Sequence, residues 1–572
     1  MTVTGSTPKG RGALSIGGSG TGREQTARRA PRTGAASPLV PSPTPSPETP
    51  APESRTFLAK AALITAALSV TGSLLGLARD QSLARLFGAG SETDAFLVAW
   101  TVPEFAATLL IEDGLAFALI PAFSMALARS AQGAPGDPVR ALVKATLPRL
   151  ALAFVAVSAL LVAAAPYLVE ALAPGLPHPA LAVSCTRITA TCVLSFGLAG
   201  YCSAALRAHR RFVAPAAIYV AYNIGIIAGM YAFGRHWGVR SAALGVAAGG
   251  FLMVLTQLPA LVRQLRSHKP TAPDPGTAEA PRPMNFALMA TVLLFALCRQ
   301  SQVLIERFLA SHLPAGAISH LNYAQKVAQM PMVLSLMLCT VTFPVVARAL
   351  AEGDTEKARN RVERDLALAA CLVLLGAATV IACAPQIIQL LFQRGAFTAH
   401  DTAATAGVMR VYALGLLGQT LVGVLVRSYF SAGRPTWYPV GAMAAGIVVT
   451  SWIGAWTVGP WGVIGIAVAN ATGITTAAVL LLCGSGPRSV PIRTRQVLVE
   501  LTRPVRAAAV ATVAGAFAAH AVPSPLLGLA VGCTVVTVVF VLLGWALGAQ
   551  GFAPALASVR SVTRRLPYGR SR

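Results

Sequence analysis

The sequence predicts an all-α polytopic membrane protein in which 14 transmembrane helices form two pseudo-symmetric six-helix lobes plus two C-terminal helices around a central cavity. Three observations support this fold: the composition, a series of apolar segments, and an internal repeat. Of the 572 residues, 55% are hydrophobic and only 12% are charged, whereas about a quarter of the residues in a soluble protein are charged. A chain this apolar is expected to reside in a bilayer.

The apolar segments begin at Phe57, and fourteen of them approach the roughly 20 residues that a helix needs to span a bilayer. They lie near 57–85, 93–126, 143–172, 180–206, 213–234, 240–262, 284–310, 316–348, 364–384, 402–431, 436–457, 461–483, 507–522 and 525–548. Residues 1–56 show no apolar period and are rich in Gly, Ser, Thr and Pro. They are expected to form a disordered cytoplasmic tail.

The connections between the segments alternate in charge. With the N-terminus placed inside, the inside connections carry clusters of Arg and Lys, and the outside connections PGLPHPA, SHLPAGA, TVGPWG and HAVPSP carry neither. Arg235, Arg240 and Arg394 depart from this pattern. Because Lys and Arg mark cytoplasmic loops, both termini are expected in the cytoplasm. The formal net charge of +25 is therefore assigned to membrane topology, and nucleic acid is not an expected partner.

The internal repeat consists of two pairs of similar stretches. GRPTWYP at Gly433–Pro439 resembles HRRFVAP at His209–Pro215, and LASHLPAG at Leu309–Gly316 resembles LARLFGAG at Leu83–Gly90. Both copies begin on the same predicted side, which indicates a parallel repeat with a cavity between two lobes. The predicted organisation is a tail at 1–56, an N-lobe at 57–265, a C-lobe at 284–486, two further helices at 505–550 and a basic cytoplasmic tail at 551–572.

Motifs for catalysis are absent from the sequence, which contains no P-loop, HExxH or GxSxG pattern and no histidine cluster. We therefore expect no enzymatic activity, no cofactor and no metal site. Glycine-rich pieces such as GVAAGG at Gly245–Gly250 lie inside apolar spans. Glycine in such spans usually lets helices pack closely.

Charged side chains within the apolar segments are the candidate functional residues, because a charge at the bilayer centre costs about 2.5–3.5 kcal/mol on insertion scales. They are Arg79, Asp80, Asp94 and Glu112 in the first lobe, and Arg299, Glu306, Arg307 and Lys326 in the second. A local helix-stabilising pair also explains Arg79 and Asp80, and snorkelling or pairing also explains Glu306 and Arg307. Arg299 and Lys326 are cations at depth, which favours a cavity that binds an anion such as phosphate.

Several longer stretches carry a family resemblance. They are GLARDQSLARLFGAGSETDAFLVAWTVP at Gly76–Pro103, EDGLAFALIPAFS at Glu112–Ser124, NYAQKVAQMP at Asn322–Pro331, LFQRGAFTAHD at Leu391–Asp401 and VRSYFSAGRPTWYPV at Val426–Val440. In this order they resemble the MurJ (MviN) lipid II flippase family of the multidrug/oligosaccharidyl-lipid/polysaccharide exporter superfamily. The resemblance spans roughly residues 57–550.

This resemblance implies a flippase that moves an undecaprenyl-pyrophosphate-linked glycan to the outer leaflet of the bacterial plasma membrane by alternating access. Arg79, Arg299 and Lys326 would then hold the pyrophosphate. The residues with ion-pair or gating roles would be Asp80, Asp94, Glu112, Glu306 and Arg307. The expected partners are the lipid-linked glycan and membrane lipids, with other cell-envelope synthesis proteins as further candidates.

The chain also departs from the family at several positions. The family carries arginines where this chain has Ser73, Ala107 and Thr108, and Lys326 replaces another arginine. Some members bind sodium in the second lobe, but segment Tyr438–Trp456 has no Asp or Asn, so no sodium site is expected. Fewer cavity cations leave two alternatives open: export of another lipid-linked polysaccharide unit or an amphipathic drug, and a non-transporting scaffold for envelope synthesis.

Overall fold

Helices account for every regular element in the described part of the chain. The computed structural model describes residues 52–112, 114–132, 137–266, 286–340, 354–431, 436–485 and 492–549. In chain order the elements are α1 (Pro52–Phe87), α2 (Ser91–Ala99), α3 (Thr101–Ala106), a π-helical turn (Ala107–Glu112), α4 (Gly114–Ala131), α5 (Pro138–Ala163), α6 (Ala165–Leu172), α7 (Pro179–Ala190), α8 (Cys192–Ala208), α9 (Val213–Trp237), α10 (Arg240–Arg266), α11 (Phe286–Ala310), α12 (Ala317–Ala328), α13 (Met330–Thr340), α14 (Thr355–Ala382), α15 (Ala384–Phe392), α16 (Ala399–Leu414), α17 (Leu416–Ser431), α18 (Tyr438–Cys483), α19 (Thr494–His520) and α20 (Pro525–Ala546). The predicted tail at 551–572, nearly all of the tail at 1–56, and residues 432–435 of the second repeat copy lie outside the described residues.

Eight helical stretches in the described residues are long and apolar enough to cross a membrane, or nine if the bent pair α16–α17 forms one span. The eight are Ser91–Ser130, Pro138–Ala163, Pro179–Ala208, Val213–Trp237, Arg240–Arg266, Thr355–Ala382, Tyr438–Cys483 and Pro525–Ala546. The chain is thus an all-helical membrane protein. The count of fourteen spans and the division into two lobes stay predictions.

The predicted outside connection TVGPWG forms a kink within α18 instead of a loop. Gly462 leaves helical geometry there, with φ +53° and ψ −131°. A side chain would strain this backbone conformation, so glycine is needed. Trp456 and Trp461 near the kink are exposed, as expected for aromatic residues at a membrane interface.

The predicted span at 93–126 is interrupted by the π-helical turn at Ala107–Glu112. A Cβ on Gly114 would lie 2.3 Å from the carbonyl oxygen of Leu109, so glycine lets the chain tighten again after the wider turn. π-Helical turns often occur at functional sites. This turn contains Ala107 and Thr108, two positions at which the family resemblance leads us to expect arginine.

The main hydrophobic core contains residues from both ends of the sequence. Phe96 and Phe196 belong to the same buried cluster as Tyr323, Tyr412 and Phe540. The two last helices, α19 and α20, pair with each other and pack against α14. In this structure the early and late helices therefore share one packed interior.

Helices α9 and α10 pack through matching glycines. Gly225 and Gly229 on α9 face Gly245 and Gly249 on α10, and the two glycines on each helix are four positions apart. A Cβ on Gly249 would lie 2.6 Å from the Tyr222 carbonyl oxygen, which leaves no space for a side chain. The close-packing role predicted for GVAAGG is confirmed, and backbone proximity of this kind stabilises helix pairs in lipid.

Replacing Gly249 by Val is expected to destabilise the protein, because the new side chain must push α10 away from Tyr222. Overpacking of this kind costs about 1–3 kcal/mol. The midpoint of thermal unfolding in detergent measures the effect. The matched control is Gly441→Val on α18, where a Cβ meets no atom within 4 Å. Equal midpoints for the two variants would contradict the packing account.

Candidate functional site

Three glycine-containing turns meet at one end of the molecule. Gly88 lies in the α1–α2 turn, Gly316 precedes α12 and Gly395 precedes α16, and all three have positive φ. The N–H of Ala396 donates to the Arg85 carbonyl oxygen at 2.9 Å, and a Cβ on Gly316 would approach the α1–α2 backbone to 2.7 Å. The turns thus join the N-terminal half (α1–α10) to the C-terminal half (α11–α18). These three turns are called the sealed end.

Asp94 binds the N-terminus of α12 at the sealed end. Its carboxylate accepts from the N–H of Gly316 at 2.7 Å, the N–H of Ser319 at 2.8 Å and the Ser319 hydroxyl at 2.5 Å. Asp94 is 3% exposed, and the N–H groups of a first helical turn lack partners within the helix. The sequence predicted an ion pair for Asp94. Its partners among the described residues are instead a helix terminus and a hydroxyl, which also favour a negative charge.

The next residue of α12 is held by the start of α16. His320 Nε2 lies 3.2 Å from Asp401 Oδ1. The N–H and hydroxyl of Thr398 donate to Asp401 Oδ2, while the Asp401 N–H donates back to the Thr398 hydroxyl. This reciprocal capping box explains the T-x-x-D spacing in LFQRGAFTAHD, a signal that our sequence prediction did not use. The first turn of α12 is therefore anchored by Asp94 on one side and by Asp401 on the other.

Arg79, Asp80 and Lys326 form a cluster that we call the cation seat. Arg79 Nη2 lies 2.8 Å from Asp80 Oδ1, and Lys326 Nζ lies 3.3 Å from Asp80 Oδ2. Asp80 is 5% exposed. Arg79 and Asp80 are on α1, whereas Lys326 is on α12, so the cluster joins the two halves. One carboxylate balances two cations, and the remaining positive charge favours an anionic ligand in a medium of low dielectric constant.

Two uncharged side chains orient Arg79. Its Nη1 donates to the Asn223 side-chain oxygen at 3.2 Å, and the Asn223 amide donates to the Gly72 carbonyl at 3.1 Å. The Trp100 ring lies beneath both cations, with its centroid 4.5 Å from Arg79 Cζ and 5.6 Å from Lys326 Nζ. Asn223 and Trp100 were not predicted from the sequence, because they are uncharged and charge within apolar spans does not identify them.

The space beside the cation seat is small. Arg79, Asp80, Trp100 and Lys326, with apolar neighbours, line a cavity of about 10 Å³, which is enough for about one water molecule. A phosphate group does not fit until the helices separate. In this closed arrangement the Asp80 carboxylate is the anionic partner of both cations.

The two buried charges of α11 have separate partners. Arg307 pairs with Glu104 at 2.9 Å and also donates to the Thr101 hydroxyl. Glu306 accepts a hydrogen bond from the Asn470 amide. Arg307 is 5% exposed and Glu306 is 4% exposed, so pairing rather than snorkelling explains both. The Arg307–Glu104 pair is a further contact between the halves.

Two of the predicted site residues are exposed and lie outside the cation seat. Arg299 is exposed, and no described residue forms a hydrogen bond or ion pair with it. Glu112 is also exposed and accepts from the Tyr219 hydroxyl at 2.9 Å. The structure thus brings Arg79 and Lys326 together and leaves Arg299 outside the cluster.

Ser73 and Thr108, two positions at which the family resemblance leads us to expect arginine, make uncharged hydrogen bonds. Gln300, next to Arg299, donates to the Thr108 hydroxyl at 2.8 Å, which links the π-helical turn to α11. The Ser73 hydroxyl donates to the carbonyl of Ser69 one turn earlier. At Thr108 a neutral hydrogen bond therefore joins the two halves.

Asp94→Asn is expected to loosen the sealed end, because the amide has one acceptor oxygen and no charge for the α12 terminus. Loss of a helix cap costs about 1 kcal/mol, with a range of 0.5–2. Spin labels at the exposed positions Glu92 and Ala315 would measure the distance across the two turns. We expect one short distance in the otherwise unmodified protein and an added longer population in the variant.

The graded comparison for this experiment is Ser319→Ala, which removes one of the three donors and should have a smaller effect. Glu500→Gln is the control, because its carboxylate pairs locally with Arg503 on α19. An unchanged distance distribution in Asp94→Asn would show that the glycine turns hold the sealed end without this carboxylate.

Known proteins resemble the chain over most of its length. A sequence model described as the lipid II flippase MurJ matches residues 83–539. The lipid II flippase MurJ of Burkholderia cenocepacia is 29% identical over 391 residues, which cover 65% of this chain and 73% of that protein. A probable lipid II flippase MurJ of Vibrio cholerae is 26% identical over 473 residues, which cover 80% of this chain and 88% of that protein.

Solved structures show the same fold. A lipid II flippase MurJ in an inward closed conformation superposes with a TM-score of 0.65 at 18% identity, covering 86% of this chain and all of that one. An inward-facing multidrug resistance MATE family transporter of the MOP superfamily superposes with a TM-score of 0.58 at 14% identity, covering 77% of this chain and 99% of that one. With the family match extending from residue 83 to residue 539, the chain belongs to the lipid II flippase MurJ family.

Proposed function

We propose that this chain moves lipid II, or a closely related polyprenyl-pyrophosphate-linked glycan, from the inner to the outer leaflet of the bacterial plasma membrane by alternating access. The observation that carries the proposal is the cation seat, in which Arg79 and Lys326 come from opposite halves and share Asp80. Buried cations in a membrane protein usually mark the path of a charged substrate. Relatives named as lipid II flippases support the same substrate class.

The chemistry of the cation seat suits a pyrophosphate. The planar guanidinium of Arg79 can make two parallel hydrogen bonds to phosphate oxygens, and the ammonium of Lys326 acts as a compact point charge. A pyrophosphate carries two adjacent anionic groups, so it can contact both cations at once. It would replace Asp80 as the partner of Lys326 when the halves separate at the end opposite the sealed end, from which the substrate enters.

The sealed end is proposed to face the outside of the cell. This orientation follows if the chain forms fourteen helices in two lobes with both termini in the cytoplasm. The acidic Glu92–Asp94 turn and SHLPAGA then belong to the outside connections, because neither contains Lys or Arg. A protein sealed on the outside is ready to load its substrate from the inside.

Opening at the sealed end is proposed to depend on the contacts that join the two halves, and these contacts form the gate. Asp94 binds α12, and Arg307 binds Glu104, so both contacts must break if the halves separate at the sealed end. Glu306 and Glu112 bind partners within their own halves, Asn470 and Tyr219 respectively. We therefore give the gating role to Asp94 and Arg307, and structural roles within each half to Glu306 and Glu112.

Arg299 is proposed to contact the substrate after the halves separate. Its neighbour Gln300 binds Thr108 in the closed state, so α11 places Arg299 near the π-helical turn. The family carries arginines on that turn, where this chain has Ala107 and Thr108. A cation on α11 would supply part of the positive charge that the turn lacks.

Lys326→Ala is expected to slow translocation at least tenfold, since a hydrogen bond to a charged group contributes about 1.5–3 kcal/mol. The test uses bacterial cells depleted of their own lipid II flippase and measures lipid II in the outer leaflet. Lys326→Arg should retain activity because it keeps a cation. The control Lys357→Ala removes an exposed lysine at the start of α14.

Failure of the unmodified chain to restore translocation, at normal membrane expression, would contradict lipid II as the substrate. Altered surface glycan in a deletion strain would then indicate another lipid-linked unit. Altered drug sensitivity with unchanged glycan would indicate drug export. A requirement for residues 1–55 together with full activity of Lys326→Ala would indicate a scaffold.

A further inference from the structure

Trp100 differs from the other tryptophans of the chain. It is 8% exposed, whereas the remaining six, including Trp237 at 53%, are exposed. Among the described tryptophans, it is the one with cations over its ring, and these cations are Arg79 and Lys326. A buried indole beneath two cations has a role beyond anchoring the protein at the membrane interface.

The Trp100 ring reduces the electrostatic repulsion between the two cations of the cation seat. Arg79 and Lys326 repel each other, and Asp80 neutralises only one of the two charges. The face of an indole carries negative potential and attracts cations. Phe96 and Tyr222 pack near the ring at centroid distances of 5.7 and 6.1 Å. These neighbours hold the indole plane in place, so it can keep two like charges close together.

The ring also connects the cation seat to the sealed end. Asp94 on α2 binds the start of α12, and Trp100 directly after α2 contacts Lys326 further along α12. Lys326 lies ten residues after Gly316, about 15 Å along the helix at 1.5 Å per residue. The α2–α12 pair therefore contributes Asp94 to the sealed end and places Lys326 over the Trp100 ring at the cation seat. Movement of α12 away from α2 would carry Lys326 away from the ring.

We propose that Trp100 is a positioning residue that gives the cation seat a high affinity for phosphate while the sealed end is closed and a low affinity once it opens. The inference rests on the proposed function and adds the step that changes affinity during transport. With the outside sealed, both cations lie on the ring, ready for a ligand that enters from the inside. When the outside opens, Lys326 leaves Trp100 and Arg79, and the ligand loses one of its two cations.

Binding of farnesyl pyrophosphate to the full chain in lipid nanodiscs tests this role, with farnesol as the probe that lacks phosphate. Trp100→Leu should weaken farnesyl pyrophosphate binding about tenfold, the equivalent of about 1.4 kcal/mol. Trp100→Phe should bind farnesyl pyrophosphate with an affinity between those of the unmodified protein and Trp100→Leu, since the phenylalanine ring attracts cations more weakly than indole does. Trp237 is exposed, and among the described residues no cation lies above its ring, so Trp237→Leu should bind as the unmodified protein does.

Fluorinated tryptophan separates electrostatics from packing, because fluorine withdraws electron density from the ring face with little change in shape. Incorporated throughout the chain, it should lower the affinity of the unmodified protein and leave that of Trp100→Phe unchanged. Equal responses to fluorination in the two proteins, or no binding of farnesyl pyrophosphate to the unmodified chain, would overturn the inference. Binding with the predicted ranking in a chain that fails to translocate lipid II would support Trp100 and contradict the proposed function.

Discussion

Asp80 meets a constraint that governs the whole molecule: a cation placed inside a bilayer needs an anionic or polar partner within the protein. Arg79 and Lys326 both depend on this one carboxylate. Because they lie on α1 and α12, the contact requires the two halves of the chain to approach each other. The packing of the early helices against the later ones is therefore tied to the neutralisation of charge at depth.

The sealed end supplies the geometry that this neutralisation requires. Backbone contacts at Gly88, Gly316 and Gly395 bring three turns together, and Asp94 satisfies N–H groups that the first turn of α12 cannot satisfy itself. Because helix N–H groups bind the Asp94 carboxylate, no further Lys or Arg is needed to balance it in this region of low dielectric constant. The hydrogen bonds between Asp94 and the start of α12 also form or break together when α12 moves, which suits a contact that must open and close.

Several parts of the fold were predictable from local sequence patterns. The apolar segments at 213–234 and 240–262 correspond to α9 and α10, because a long apolar run in lipid must satisfy its backbone hydrogen bonds as a helix. The π-helical turn and the kink at Gly462 were not predicted. Both depend on a few backbone torsions inside apolar stretches, and hydrophobicity does not report such local changes. The use of Gly245 and Gly249 for close packing was predictable, because small residues in apolar spans have few other roles.

The membrane class, the family and the candidate residues Arg79, Asp80 and Lys326 follow from the sequence alone, because charge in an apolar segment is costly wherever the chain folds. The tertiary structure decided which of the candidates meet. Lys326 binds a carboxylate 246 positions away, and Asp94 binds N–H groups 222 and 225 positions away. Such partners are chosen by helix packing, which also brought Trp100 and Asn223 to the seat and left Arg299 outside it. A single sequence records the charges, but only the packed helices show how those charges are neutralised.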